Sequence, residues 1–332
     1  MASWTAYLDP REALARLRAA RADVYFTRMQ VDRLATVTGE LNTTVLALRG
    51  EVEALRQEIA AEGGFPAVET RAGERHRTVL EAMRIVRDDD KSARATLWDL
   101  RQSDEYEQAF EEEEPLVTVL LTTYDNWPLL GERSLPAVLA QTYEHWEAIV
   151  VGDAAPDGAR RLVESFGDSR LRFVNLPYRG PYPKRPDLGW MVFGTTPWNT
   201  GLALARGRWI ASCSDDDALR PRAIEALVAH AREHRAEVPY GCYEQHSPNS
   251  EPERHGEFPP SWHHWGTQSA LLHGGLRFMP LQPSDWIFGI GIDMSLMERM
   301  LRIGVRFSML DEIVWDYYPS QLWTDRMSRE TI

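Results

Sequence analysis

Between residues 116 and 234 short apolar runs alternate with amphipathic ones, and this alternation most limits what the chain can fold into. "LVTVLLTTY" (Leu116–Tyr124), "WEAIVVG" (Trp146–Gly152), "LRFVNL" (Leu171–Leu176) and "RWIASCS" (Arg208–Ser214) are β-branched, buried-strand runs. "LPAVLAQTY", "ARRLVESFG", "NTGLALARG" and "PRAIEALVAHAREH" carry helical spacing between or after them. Strand–helix–strand repetition predicts right-handed crossovers and an α/β fold with a mostly parallel sheet flanked by helices. Ligands of such sheets bind beyond the carboxyl ends of the strands. Thr123, Tyr124, Asp153 and Asp215–Asp217 all fall at such ends.

The three adjacent aspartates repel one another and disfavour a strand. Carboxylates at a strand end suit a hard divalent cation, Mg²⁺ or Mn²⁺, shared with substrate phosphates. A surface turn whose last aspartate caps the helix near Pro221 is the plainer alternative. No Walker sequence occurs, and no G-x-G-x-x-G follows a strand.

Ahead of this region the pattern is helical. Val24, Val31, Thr38, Val45, Val52 and Ile59 interleave with Leu34, Leu41, Leu48 and Leu55 at heptad a and d spacing. The run 11–62 therefore reads as a coiled-coil helix, either a dimerisation coil or a hairpin folding on its own chain. A second helical pattern runs through Val79, Met83, Val86, Ala93, Leu97 and Leu100. "EEEEP" (Glu111–Pro115) reads as a solvated linker. The expected organisation is a helical extension over 1–110, a linker over 111–115 and a catalytic domain over 116–332, with halves 116–220 and 221–332.

The net charge of −13 argues against nucleic-acid and anionic-membrane partners. Two cysteines offer no disulfide framework, which suits a reducing cytosol. The N-terminus has no apolar core of leader type, and no stretch reaches the ~18 apolar residues of a membrane span. The reading is a cytoplasmic protein that at most visits a membrane surface.

"VTVLLTTYDN", "AVLAQTYEHWEAIVVGDAAPDG" and "NTGLALARGRWIASCSDDD", in that order, resemble the family 2 glycosyltransferases with the GT-A fold. The resemblance covers about Leu116 to Tyr318. It implies that Thr123, Tyr124 and Asp125 line the base pocket of a nucleotide-sugar and that Asp153 bonds the base. It implies that Asp215 faces the ribose or sugar, that Asp216 and Asp217 hold Mn²⁺ or Mg²⁺, and that Asn199 braces that end of the pocket. "GIDMSLMERM" resembles the family's C-terminal helix, whose opening aspartate, here Asp293, is the expected base for an inverting transfer to an acceptor hydroxyl. Asp293 also reads as an N-cap, with Asp285 as the rival base.

Four departures from the family pattern bear on base identity. Gly152 stands for the first aspartate of a pair, Asp125 for asparagine, Ser214 for a further aspartate, and Ala154-Ala155 for Gly-Ser. The loop Leu176–Trp190 carries Arg179, Lys184 and Arg185 and reads either as a cover for the diphosphate or as a solvated basic loop. Trp262, Trp265 and Trp286 are acceptor-side candidates, since sugars stack on aromatic faces. His263 and His264, being adjacent, are poor joint metal ligands. Tyr317 occupies the place of a histidine common in the family. Two other readings stay open: a sugar nucleotidyltransferase, which would need a Gly-rich phosphate loop, and an oligomeric coiled-coil scaffold with a degenerate catalytic domain.

Overall fold

The computed structural model describes residues 43–52, 54 and 65–319. The chain parts into two units, Met1–Glu81 and Ala82–Ile332. In the first unit, residues 43–52 are helical, with Val45, Leu48 and Val52 exposed. The other heptad positions lie outside the described residues. No helix of the described residues is long and apolar enough to cross a membrane.

The second helical pattern is two helices, α1 (Phe65–Arg87) and α2 (Asp90–Leu100). The Asp89 side chain accepts from Ser92 N (3.0 Å) and starts α2 as an N-cap, which the heptad-like spacing concealed. Helix α3 (Asp104–Glu111) follows. Leu97, Tyr106, Ala109 and Phe110 are core residues, so α2 and α3 belong with the sheet in the second unit. The acidic run is tied down at Glu112, which accepts from Arg208 (3.0 Å).

Strands β1 (Val117–Thr123), β2 (Trp146–Gly152), β3 (Leu171–Asn175) and β4 (Trp209–Ser214) form a parallel sheet in the order β3-β2-β1-β4. It is closed by the antiparallel β8 (Leu271–His273). Side chains alternate across a strand. Val117, Val119 and Leu121 thus enter one core cluster and Leu120 the other. Each such buried aliphatic contributes ~1.5–3 kcal/mol. Helices α4 (Asp157–Ser165), α5 (Thr195–Leu204) and α6 (Ala223–His234) stand where the amphipathic runs predict them. Residues 127–139 form a shorter helical stretch with a π turn at Leu130–Ser134.

A second sheet has the order β5-β9-β6-β7, built from Ala218–Leu219, Phe307–Tyr317, Val238–Gln245 and Glu253–His255. Helix α7 (Ile292–Ile303) precedes β9. Gly207 lies where a Cβ would come within 2.5 Å of Thr118 N, so only glycine lets the chain turn into β4 there.

Candidate active site

The three aspartates sit in the turn between β4 and β5. Asp215 Oδ2 accepts from Thr123 Oγ1 (2.7 Å), which ties the ends of β1 and β4 together. Burial pushes its carboxyl up to about 7, against the pull of that hydrogen bond. Asp125 is exposed, and its charge adds to the rise at Asp215.

Asp217 is buried, and its Oδ1 accepts from Tyr318 N (2.9 Å). Burial, then the charge of Asp216, drive its carboxyl well above the ordinary range. Asp217 is not a helix cap: α6 starts at Arg222 with no side-chain cap. Its partner lies 101 residues on, which no local pattern reveals.

Arg133 was missed by sequence reasoning. It donates to the Asp216 carbonyl, and its Cζ lies 3.8 Å from the Tyr318 ring centroid. Its charge pulls Asp216 and Asp217 down, but burial outweighs it. Carboxylates at a strand end are oxygen donors of the kind a hard divalent cation takes; Asp217 Oδ1 is already engaged by Tyr318 N, and Asp216 beside it is half-buried.

At the end of β2, Asp153 is buried and accepts from Gly180 N (3.0 Å), with Arg179 Nε at 3.8 Å. Arg179 lies over the Tyr124 ring, Cζ 3.7 Å from its centroid. The basic loop thus folds onto the Tyr124–Asp153 corner. Gly152 has a structural reason: a Cβ there would collide with Asn175 Oδ1. That amide accepts from Ala155 N (2.9 Å) and donates to Ala155 O (2.8 Å). Between them Ala154 takes φ 57°, a strained left-handed turn beside Asp153. Asn199 donates to Leu281 O and accepts from Leu281 N, both at 2.9 Å. It braces the pocket through backbone, and its amide is used in doing so.

Asp293 lines a cavity of about 320 Å³ together with Ser214, Thr267, Gln268, Trp262 and Trp265. Ser214 ends β4 immediately before the aspartates, which are not themselves in the lining. Asp293 Oδ1 accepts from Thr267 Oγ1 (3.1 Å). The N-cap of α7 is Gly291, so Asp293 is in the first turn and is not the cap. A helix N-terminus by itself favours an ionised carboxylate, but burial raises Asp293, because desolvation outweighs the hydrogen bonds from Thr267.

Asp285 is elsewhere. It is fully buried, 2.5 Å from Arg87 Nη1, and accepts from Ser295 Oγ (2.8 Å). Burial holds its carboxyl at about 6 despite the arginine. Neither Asp285 nor Trp286 is in the wall of the cavity that Asp293 lines. Trp262 is in the wall, 47% exposed.

Among the described residues, Glu244, His246 and Asp316 gather ligand atoms within 4.8 Å of one another, which Asp215, Asp216 and Asp217 do not. Arg220 Nη2 already bridges Glu244 and Asp316 at 2.6 Å each.

Residues 196–287 match the family model described as Glycosyl transferase family 2. Two curated relatives overlap this chain. The UDP-Glc:alpha-D-GlcNAc-diphosphoundecaprenol beta-1,3-glucosyltransferase WfgD of Escherichia coli is 29% identical over 136 residues, 41% of this chain and 48% of that protein. The succinoglycan biosynthesis protein ExoO of Rhizobium meliloti (strain 1021) is 31% identical over 118 residues, 35% of this chain and 30% of that one. The chain thus spans half or less of these relatives. S. aureus TarS 1-349 in complex with UDP superposes with a TM-score of 0.50 at 15% identity, covering 64% of this chain and 63% of that one, a likeness of fold. The family match and the relatives support a glycosyltransferase.

Proposed function

We propose that the chain is an inverting, metal-dependent glycosyltransferase that moves a sugar from a nucleotide-diphosphate sugar to an acceptor hydroxyl. One observation carries this reading: a single cavity is walled both by the end of β4, beside the aspartate turn, and by the half-buried Asp293.

The Tyr124–Asp153 corner takes the base, and Asp215 the ribose or sugar. Asp216 holds the divalent cation, which when bound stabilises negative charge on the departing diphosphate. Asp293 takes the proton of the acceptor hydroxyl. The hydroxyl oxygen forms a bond to the anomeric carbon on the face opposite the diphosphate, and the breaking bond's electron pair leaves with the diphosphate. A carboxyl raised by burial is a better base than a solvated one, because its pKa lies nearer to the working pH.

The Escherichia coli relative is named for a UDP-glucose donor, so a uridine nucleotide is the first to test. The exposed Val45, Leu48 and Val52 support the further proposal of a self-associating coil in a cytoplasmic, at most membrane-peripheral, protein. Nucleotide release from UDP-, GDP- and dTDP-sugars with and without Mn²⁺ tests the reaction. Release that needs the cation for one base supports it, and no release from any donor refutes it.

A further inference from the structure

A chain of side-chain hydrogen bonds runs from Asp293 to the end of β4. Thr267 Oγ1 lies 3.1 Å from Asp293 Oδ1 and 3.0 Å from Gln268 Oε1. Gln268 Nε2 donates to Oγ of Ser214 (2.6 Å), the last residue of β4 and the neighbour of Asp215. The 3₁₀ turn Thr267–Ser269 holds the middle of the chain in place. Ser269 N and Ser269 Oγ both donate to Gly266 O, at 3.0 and 2.9 Å. Thr267 thereby reaches α7, and Gln268 reaches β4.

Thr267 has one hydroxyl proton and two acceptors within reach. The charge on Asp293 decides between them. An ionised carboxylate is the stronger acceptor and takes the bond. A protonated carboxyl becomes a donor to Thr267 Oγ1, and the Thr267 hydroxyl then turns to Gln268 Oε1. Thr267 is buried, where a hydroxyl without an acceptor is costly, so the second position matters. Ser214 keeps the Gln268 amide aimed at Thr267 in both states.

Resting on the glycosyl-transfer reading above, we infer that Thr267, Gln268 and Ser214 are positioning residues, whose bonds let Asp293 receive the acceptor proton without leaving a buried polar group unpaired. The acceptor O–H bond breaks, its electron pair stays on the acceptor oxygen, and the proton bonds to Asp293. Thr267 only rotates its own hydrogen from Asp293 to Gln268, and no proton travels beyond Asp293. The other titratable groups that feel the charge of Asp293 are Tyr243 on β6 and Tyr317 on β9, phenols that burial holds above their ordinary range. His263 shares the cavity wall, and burial lowers it.

The test follows Asp293 itself in the full chain labelled with ¹³C at the aspartate carboxyls. The resonance missing from Asp293→Asn identifies it, and its titration midpoint is read without any need for turnover. Thr267→Val removes the donor to the ionised form, so the midpoint should rise by about one pH unit. Gln268→Ala removes the acceptor that the protonated form needs, so the midpoint should fall, about half as far. Ser214→Ala should move it the same way as Gln268→Ala. Thr267→Ser keeps the hydroxyl and should restore the wild-type midpoint. Lost packing alone would not move the midpoint in opposite directions. In turnover, Thr267→Val and Gln268→Ala should each lower kcat several-fold while the donor's KM stays within twofold.

Midpoints that stay put or move the same way in Thr267→Val and Gln268→Ala overturn the inference. So does a Thr267→Ser protein that behaves as Thr267→Val. Gln268 is half-buried, so Gln268→Ala alone decides if Thr267→Val fails to fold: a midpoint that does not fall refutes the chain. If no nucleotide-sugar is turned over, the glycosyl-transfer reading falls, and the titrations still decide whether these bonds answer to the charge on Asp293.

Discussion

Two sets of buried and half-buried carboxylates divide this molecule. Asp285, Glu237 and the Glu244–Asp316 pair each meet an arginine of the chain: Arg87 at 2.5 Å, Arg101 at 2.6 Å and Arg220 at 2.6 Å. At the ends of the strands and the start of α7, Asp215, Asp217 and Asp293 accept from neutral groups: Thr123 Oγ1, Tyr318 N and Thr267 Oγ1. Burial raises carboxyls in both sets, including Asp285. A perturbed pKa therefore does not separate a site from a strut. What differs between the two sets is the partner, an arginine in the first and hydroxyls or a backbone N–H in the second; Asp153, at the end of β2, stands between them with Arg179 Nε at 3.8 Å.

The sharpest way to break that contrast is a pair of neutral substitutions. Asp293→Asn should lower kcat about 10²–10⁴-fold, the usual scale for losing a general base, with the melting temperature nearly unchanged. Asp285→Asn should leave kcat within a few-fold. It should cost about 1–3 kcal/mol in a denaturant titration, because it removes the charged bond to Arg87 and leaves that arginine with Asp88 alone. Loss of turnover in Asp285→Asn with stability intact would erase the distinction.

Next in size is cation linkage. Mn²⁺ together with the matching nucleoside diphosphate, at 100 times the dissociation constant, should stabilise the protein by about 2.7 kcal/mol. Calorimetry on Asp216→Asn should show that increment gone. An undiminished increment would move the cation away from the aspartate turn.

The smallest effect is a pH slope. Asp215 titrates near 7 in the folded chain against an ordinary 3.8, so above about pH 4 the folded state holds the extra proton. Stability of the metal-free protein should then fall as pH rises through about 7. Melting temperatures between pH 5 and 7.5 should fall less steeply in Asp215→Asn than in wild type. Equal slopes would mean that Asp215 carries no such burden.

Much of this was legible in the residues. The strands around Val117–Thr123 and Trp209–Ser214 are apolar on both faces and end in polar turns, so their position announces itself. Asp293 was legible through the helix that it opens. Nothing in "PSDWIFG" announces that Asp285 meets Arg87, 198 residues earlier. Arg133 gave no local signal at all, since a lone arginine in a helical stretch has no period. Gly152 looked like a lost aspartate, and the packing of Asn175 shows that the position admits no side chain.

By itself the sequence determined the order of strands and helices, the strand ends where polar residues collect, and the aspartate run at one of them. These follow from periodicity and from repulsion between neighbours, both local. The tertiary structure decided which carboxylates meet an arginine, which aspartate a distant backbone N–H engages, and which tryptophans share a cavity with Asp293. Those outcomes depend on groups far apart in the chain becoming neighbours in a medium that screens charge poorly, and no local pattern encodes them.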